Sequence, residues 1–239
     1  MRVMTFNIQH CHDWQGNKIN IPLFSKTIKR FDPDICGLNE VRGRGALAGY
    51  SDQLRKMAEP IGYNRYFGQT IKVGGIGPYG NGLLTKCPII SAEVVHIPDT
   101  DDKSGNSNFE HRGIIRSLVN IDNREVAVLV CHMGLSAPEQ KNAVETICGL
   151  LDEINVPLIL MGDFNTTPDS AVLAPLFARL HDTDAVSVNG GTHTFPSYDP
   201  KEKIDYIFYS GLRCTYAETI TEIVSDHYPI IAEFEFVQD

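Results

Sequence analysis

The chain passes from an apolar run into a polar cluster at Pro157-Leu158-Ile159-Leu160-Met161-Gly162-Asp163-Phe164-Asn165. The continuous apolar run predicts a strand that is buried on both faces. Gly162 allows the backbone to turn closely, and Asp163 and Asn165 point the same way if the chain is extended. The pattern indicates a site that combines an acid–base or metal-binding carboxylate with an amide donor. An Asx turn that caps the next helix is the structural alternative.

The same alternation of apolar strands and polar strand ends recurs along the whole chain. Strands are predicted at 3–8, 34–38, 83–85, 114–121, 126–130, 157–161, 204–209, 215–221 and 230–236. Apolar stripes of helical period run through 24–31, 50–61 and 144–154, and a short helix is predicted over 170–177. Ser136 and Glu139 form a capping-box pattern that opens the third of these helices. The order predicts an α/β (α+β) protein with two sheets packed face to face and helices outside.

The length of the chain, 239 residues, is sufficient for one large domain with a full hydrophobic core. Charged and apolar residues are evenly mixed, and no linker rich in proline, serine or one charge divides the chain. We therefore predict a single domain over residues 1–239. Within it, the glycine-rich segment 73–82 is predicted to be a mobile loop.

The charge balance indicates which partners the protein binds, and the cysteines indicate its location in the cell. With 21 Lys and Arg against 30 Asp and Glu, the formal net charge is -9. A duplex nucleic-acid binder usually carries a basic stripe, so this balance disfavours nucleic acid as the partner. The six cysteines are scattered, which favours reduced thiols and a cytoplasmic location. The sequence shows no signal-peptide pattern and no apolar run of membrane-spanning length, and the oligomeric state is left open.

Four further segments offer groups that phosphate-ester hydrolysis needs, namely a base, a cation site and hydrogen-bond donors. Glu40 ends a buried strand and is a hard oxygen ligand suited to Mg²⁺ or Mn²⁺. The alternative is a solvated glutamate at the start of a loop, which the sequence pattern fits equally well. His132 ends another strand. Asp205 lies inside an apolar strand, where it is costly to bury unless it pairs with a histidine or a cation. Asp226 and His227 precede the last strand and could serve as a metal-side carboxylate and a base.

In this order the segments resemble the endonuclease/exonuclease/phosphatase superfamily, which has the deoxyribonuclease I-like fold. Its members include abasic-site endonucleases, neutral sphingomyelinases, inositol polyphosphate 5-phosphatases and deadenylases, and this chain looks like a small phosphoesterase of bacterial type. The resemblance spans nearly the whole chain and rests on Asn7, Asn39-Glu40, Tyr79 to Thr85, His132, Gly-Asp-Phe-Asn at 162–165, Ile-Asp-Tyr at 204–206 and Ser-Asp-His at 225–227.

The resemblance implies a four-layered α/β sandwich of two mostly antiparallel sheets flanked by helices, with the active site at one edge. It implies a metal-dependent hydrolase with Mg²⁺ or Mn²⁺ at Glu40, and with Asn7 and Asp226 nearby. It implies His227 as general base oriented by Asp205. His132 and Asn165 would contact the scissile phosphate, whereas the role of Asp163 differs across the family and is left open.

One position separates this chain from part of the superfamily. Abasic-site endonucleases usually carry a tyrosine where this chain has His132, and a histidine there is similar to the deoxyribonuclease, sphingomyelinase and phosphatase branches. Together with the acidic charge, this favours a small phosphorylated metabolite, a sugar phosphate or a lipid headgroup as substrate. A nuclease of the same fold and a non-catalytic binding module are the alternatives.

Substrate contacts are predicted from the segments around these motifs. Asn81 lies in the glycine-rich stretch that the resemblance covers, and Arg112 could clamp a phosphate or be an ordinary surface residue. His10 and Trp14 belong to a polar segment that we expect at the rim of the cleft, with Trp14 as a platform. The loops 9–20, 70–81 and 98–111 are where specificity is expected to reside, so the sequence does not name the substrate.

Overall fold

The chain alternates between strands and helices over the residues that the computed structural model describes, which are 1–101 and 109–237. The strands there are β1 (Arg2–Asn7), β2 (His12–Asp13), β3 (Lys18–Ile19), β4 (Ile35–Arg42), β5 (Asn64–Val73), β6 (Gly77–Thr85), β7 (Ile89–His96), β8 (Gly113–Ile121), β9 (Arg124–His132), β10 (Leu158–Asp163), β11 (His181–Asp182), β12 (Asp205–Ser210), β13 (Leu212–Thr219) and β14 (Ile230–Phe236). The α-helices are α1 (Ile21–Phe31), α2 (Gln53–Ile61), α3 (Ala137–Glu153) and α4 (Ala174–Phe177), with 3₁₀ turns at Gln9–Cys11, Ala171–Leu173 and Thr183–Val186. Residues 102–108, half of the predicted specificity loop 98–111, lie outside the described residues.

Two six-stranded sheets form the centre of the molecule. The first has the order β13-β14-β1-β4-β6-β5, and the second has the order β11-β12-β10-β9-β8-β7. β1 pairs with β4 and β9 pairs with β10 in parallel, whereas the other paired strands of the two sheets run antiparallel. β2 and β3 form a separate short ribbon.

The apolar side chains divide into three clusters that separate four layers. One cluster lies between the sheets and contains Ile35, Val128, Met161 and Ile207 among others. A second packs α1 and α2 on the outer face of the first sheet, and a third packs α3 and α4 on the outer face of the second. The predicted four-layered α/β sandwich is therefore confirmed.

Side-chain caps begin α1 and α3, and the cap of α3 is the one that the sequence predicts. The Ser136 backbone N–H donates to Glu139 Oε2 at 3.1 Å, which completes the capping box at the start of α3. The Asn20 side chain accepts from the Leu23 backbone N–H at the start of α1. No helix in the described ranges is long and apolar enough to cross a membrane, and all six cysteines are free thiols.

The prediction of a mobile loop over 73–82 is wrong. β5 reaches Val73, β6 begins at Gly77, and only a tight turn separates the two strands. The glycines serve close strand approach instead of flexibility, because a Cβ atom at Gly80 would lie 2.1 Å from the Gly68 carbonyl oxygen. Glycine is typical of loops in most sequences. Its role in close strand packing cannot be recognised from the sequence, because that role depends on which strand lies opposite.

The strand directions bring the polar strand ends to one edge of the sandwich. Parallel pairing sets Asn7 opposite Asn39 in the first sheet and Asp163 opposite His132 in the second. β12 runs antiparallel to β10, so its first residue, Asp205, also lies opposite Asp163. Side chains from both sheets therefore meet where the sheets adjoin.

Candidate active site

Glu40 is aimed by a bulge in β4. Between Leu38 and Val41 the strand holds one more residue than β6 opposite it, and Glu40 has a left-handed φ of 62°. The strand therefore does not end at Glu40, as the sequence suggests, but continues to Arg42 beyond the bulge. Bulges of this kind redirect side chains at sheet edges and active sites.

The Glu40 carboxylate accepts hydrogen bonds on both oxygens. Asn7 Nδ2 donates to Oε1 at 3.1 Å, and the Tyr79 hydroxyl donates to Oε2 at 2.8 Å. The amide orientation of Asn7 is fixed because its Oδ1 accepts from the Gln9 backbone N–H at 3.1 Å. Burial, with the charge of Glu40, raises the pKa of Tyr79, so the phenol remains a hydrogen-bond donor.

Asp163 lies at the centre of the site and is surrounded by donors. Its Oδ2 accepts from Asn7 Nδ2 at 2.9 Å, and its Oδ1 accepts from the Asn165 backbone N–H at 2.9 Å. Burial raises the pKa of the Asp163 carboxyl above its usual range. Gly162 makes this placement possible, because its φ of 141° suits glycine and a Cβ there would lie 1.9 Å from the Cys131 carbonyl oxygen.

His227 and Asp205 form a buried pair that joins the two sheets. Asp205 Oδ2 lies 2.9 Å from His227 Nδ1, while His227 Nε2 faces Asp163 Oδ2 at 3.7 Å and Asn7 Nδ2 at 3.5 Å. Burial lowers the pKa of His227, but the carboxylates of Asp205 and Asp163 outweigh it and raise the pKa to about 10. The ring of Phe195 covers His227 at a centroid distance of 4.7 Å. The arrangement leaves Nε2 as the atom that exchanges a proton with the cleft.

Carboxylates accumulate beside this pair. Burial raises the pKa of Asp226 to about 6, with the charge of Glu40 adding to it and that of His227 opposing it. Ligand atoms of Asp163, Asp205 and His227 lie within 4.8 Å of one another, so this group could hold a metal ion. Asp205 Oδ1 is buried without a hydrogen-bond partner among the described residues. These carboxylate oxygens are ligands of the kind that a hard divalent cation prefers.

His132 is the second histidine that faces Asp163. Its Nε2 lies 3.6 Å from Asp163 Oδ2, and its Nδ1 lies 3.0 Å from Arg112 Nη1. Burial, followed by the positive charges of Arg112 and His227, holds the pKa of His132 well below its usual value. His132 is therefore a neutral imidazole inside the cleft.

Asn39 connects the two sheets directly behind the site. Its Oδ1 accepts from the Asp163 backbone N–H at 3.0 Å, and its Nδ2 donates to Asn81 Oδ1 at 3.0 Å and to the Cys131 carbonyl at 2.8 Å. Asn81 in turn donates to the Gly113 carbonyl at 3.0 Å. The strand segments that contain Glu40 and Asp163 are thus held in a fixed position relative to each other.

Replacing Asn39 by alanine is expected to destabilise the protein by about 3 kcal/mol, because the Asp163 N–H and the Cys131 carbonyl would be left buried without partners. Urea denaturation followed by circular dichroism measures the difference. The exposed Asn155, which bonds only to the Glu153 carbonyl at 3.4 Å, provides the control, and Asn155→Ala should change stability by less than about 0.5 kcal/mol. Equal effects of the two substitutions would contradict the bridging role of Asn39.

The other predicted site residues lie around this centre. Asn165 has a left-handed φ of 48°, and its Nδ2 donates to the Met133 carbonyl at 3.0 Å. Asp163 forms the Asx turn considered from the sequence, because its Oδ1 accepts from the Asn165 backbone N–H. Asn81 is buried behind Asn39. His10 lies near Tyr79, and burial together with Arg42 lowers the pKa of His10 to about 4. The predicted substrate contacts of these residues stay predictions.

Three residues of the site were not proposed from the sequence as functional groups. Asn39 and Tyr79 stand in the motifs quoted above, and a buried asparagine beside Glu40 is a signal that could have been used. Tyr198 gave no signal. It is 57% exposed and stacks on Trp14 at 5.0 Å, beside the segment that carries Asp226 and His227.

The sequence profile of the Endonuclease/Exonuclease/phosphatase family matches residues 4–227, a range that contains every residue of the site described above. The chain belongs to this family. Members of the endonuclease/exonuclease/phosphatase family are hydrolases that act on phosphoester bonds. No curated protein sequence matches the chain.

Solved structures of the endonuclease/exonuclease/phosphatase family share the fold over nearly the full chain. An endonuclease/exonuclease/phosphatase from Beutenbergia cavernae is 23% identical, with a TM-score of 0.84 over 99% of this chain and 71% of that one. A mannosyl-6-phosphatase from Bacteroides thetaiotaomicron is 18% identical, with a TM-score of 0.78 over 99% and 100%. The human nocturnin catalytic domain with bound sulfate is 19% identical, with a TM-score of 0.74 over 99% and 93%. Identities this low show a shared fold alone.

Proposed function

We propose that the protein is a Mg²⁺- or Mn²⁺-dependent phosphoesterase that hydrolyses a phosphomonoester or phosphodiester by in-line attack of water. One contact carries the proposal. Asp205 Oδ2, at 2.9 Å from His227 Nδ1, orients the ring so that Nε2 faces the cleft beside Asp163 and Asn7. A buried carboxylate that holds one imidazole nitrogen makes the other nitrogen a directed base.

In the proposed reaction His227 Nε2, in the neutral imidazole, removes a proton from the attacking water. Since Asp205 and Asp163 raise the pKa of His227 to about 10, this step requires that the positive charge of a bound divalent cation lower that pKa. Asp205 keeps the ring in one orientation and stabilises the imidazolium that forms. Asp163 Oδ2 lies on the same side as Nε2, so it is placed to hold the water in line with phosphorus. Asn7 donates hydrogen bonds to both Asp163 and Glu40 and so holds the two carboxylates in position relative to each other.

Glu40 and Asp226, with Asn7 nearby, would hold the divalent cation. The atoms of Asp205 and His227 that lie nearest to each other already share a hydrogen bond, which is why we place the cation at Glu40 instead of within the Asp163–Asp205–His227 group. When bound, such an ion neutralises negative charge on the phosphoryl oxygens. The charge of Glu40 contributes to the raised pKa of Asp226, which supports placing a cation beside these two carboxylates.

His132 and Asn165 are the proposed donors to the phosphoryl oxygens. Both lie beside Asp163, and hydrogen bonds to developing negative charge are among the largest contributions to such catalysis. Arg112 and His10 add nitrogen groups at the cleft margin. Asn81 supports the site from behind through Asn39.

The proposed substrate is a small phosphorylated metabolite, sugar phosphate or lipid headgroup. The net charge of -9 weighs against duplex nucleic acid. Among the solved structures, the mannosyl-6-phosphatase is named for a sugar phosphate and nocturnin carries a bound sulfate anion, which supports the choice. The stacked Trp14 and Tyr198 rings would form a wall for the leaving group. The six free cysteines agree with the cytoplasmic location proposed for the protein.

Removing divalent cations is expected to abolish hydrolysis, because the proposed site at Glu40 and Asp226 would then supply no divalent charge to the phosphoryl oxygens. The measurement is release of phosphate or alcohol from a panel of sugar phosphates, glycerophosphodiesters and phospholipid headgroups, with EDTA and then with added Mg²⁺ or Mn²⁺.

A plasmid-nicking assay at low salt forms the comparison arm of the same panel. Nicking that exceeds every small-substrate activity would reassign the protein as a nuclease. A protein that turns over nothing on the panel with either metal would be a binding module of the same fold, and the proposal would be withdrawn.

A further inference from the structure

Arg112, at the margin of the cleft, contacts a catalytic candidate directly. Its Nη1 lies 3.0 Å from His132 Nδ1, and the same Nη1 lies 3.1 Å from Glu110 Oε2. The Arg112 side chain is only 11% exposed. It stands one residue before β8, at the same edge of the second sheet as the end of β9, where His132 lies.

The contact determines which nitrogen of His132 carries hydrogen. A guanidinium group has five N–H donors and no acceptor, so it can only donate to His132 Nδ1. Nδ1 must therefore present its lone pair, and in the neutral ring the hydrogen must be on Nε2. This assignment follows from the chemistry of the partner group and needs no observed hydrogen position.

We infer that Arg112 is a positioning residue, which fixes His132 as the Nε2–H tautomer and thereby aims its one N–H at the reacting phosphate beside Asp163. The kinetic part of this inference rests on the proposed function. The structural part, the tautomer, stands independently of any activity.

The two histidines of the site then have opposite roles because their Nδ1 partners differ. His227 Nδ1 faces an acceptor, Asp205, so its Nε2 is the nitrogen that takes up a proton. His132 Nδ1 faces a donor, Arg112, so its Nε2 can only give a hydrogen bond. Both Nε2 atoms face the same Asp163 oxygen, at 3.7 Å and 3.6 Å. A base and a donor are thus placed beside the same oxygen of one carboxylate.

A direct phosphate clamp is the competing role for Arg112. A clamp acts on substrate binding, so its loss raises KM and leaves His132 as it was. A positioning role acts through His132, so its loss changes the ring tautomer and lowers kcat with little change in KM. The two roles therefore differ in observables that loss of folding cannot imitate.

The tautomer is tested by ¹⁵N NMR of the histidine rings in the full chain, because protonated and unprotonated ring nitrogens resonate far apart. The signals of His132 are assigned by their absence in His132→Gln. We expect wild-type His132 to show an unprotonated Nδ1 and a protonated Nε2. Arg112→Met should produce a mixture of tautomers, and Arg112→Lys, which keeps a charged donor, should restore the wild-type pattern.

The kinetic arm uses p-nitrophenyl phosphate and bis(p-nitrophenyl) phosphate with Mn²⁺. Arg112→Met is expected to lower kcat about tenfold or more and to change KM less than about twofold. His132→Gln places an amide N–H near the position of Nε2 without a tautomer to fix. In that background Arg112→Met should have little further effect, as a double-mutant cycle would show.

Two outcomes would overturn the inference. If the Arg112→Met protein, folded by circular dichroism, keeps the wild-type tautomer of His132, Arg112 does not set it. If Arg112→Met raises KM equally in the wild-type and His132→Gln backgrounds, Arg112 acts on the substrate directly. A wild-type protein that hydrolyses neither these esters nor any substrate of the panel removes the proposed function, and the NMR comparison then decides the tautomer assignment alone.

Discussion

Replacing His227 by alanine is expected to lower kcat by about 10²–10⁴-fold while the protein stays folded. The substitution removes the atom that would take the proton from water. It also leaves Asp205 without the partner that lies 2.9 Å from its Oδ2. Steady-state kinetics on the best substrate of the panel measures the loss, and thermal unfolding shows whether the fold is retained.

A graded series sharpens this test. Asp205→Asn keeps the base but weakens its orientation, so kcat should fall less than in His227→Ala. His181→Ala provides the matched control, because His181 is exposed and pairs with Tyr209, at the far end of β12 from Asp205. Wild-type turnover in the folded His227→Ala protein would rule out His227 as the base.

Glu40→Gln is expected to reduce activity by orders of magnitude at fixed metal concentration, with partial recovery when the metal concentration is raised. Glutamine can still accept from Asn7 and can donate to the Tyr79 oxygen, so the local structure should persist. What it loses is the negative charge that a hard divalent cation requires. Mn²⁺ binding followed by electron paramagnetic resonance gives a measure that does not depend on turnover.

Glu125→Gln is the control for that experiment, since Glu125 is exposed near the start of β9, at the opposite edge of the second sheet. It should bind Mn²⁺ as the wild type does. Unchanged Mn²⁺ affinity in Glu40→Gln would move the cation site to the Asp163–Asp205–His227 group.

The fold, and the polar groups at 40, 132, 163, 205 and 227 that the structure brings together, could be predicted because each signal is local. An apolar run that ends in Gly162 and Asp163 is visible in nine consecutive residues, and the capping box at Ser136 in four. Because parallel strands end at the same edge, the order of these segments also predicts that their polar ends meet. The prediction of one domain over 1–239 stays a prediction.

The contacts that organise the site could not be predicted in the same way. Asn39 and Asp163 are 124 residues apart, and their hydrogen bond depends on how one sheet is set against the other. The bulge that aims Glu40 depends on the register of β4 against β6. Arg112 looks like a surface arginine until the pairing of β8 with β9 brings it to His132.

The hydrogen bonds of Asn39 also affect which parts of the protein can change during evolution. They fix the strand ends that hold the proposed phosphate-binding groups, whereas Trp14 and Tyr198 belong to connecting segments outside the sheets. Insertions or exchanges in those segments can alter the leaving group that is accepted and leave the locked strand ends in place. Under the proposed function, evolution can therefore change the substrate of one scaffold by changing only the segments that connect its strands.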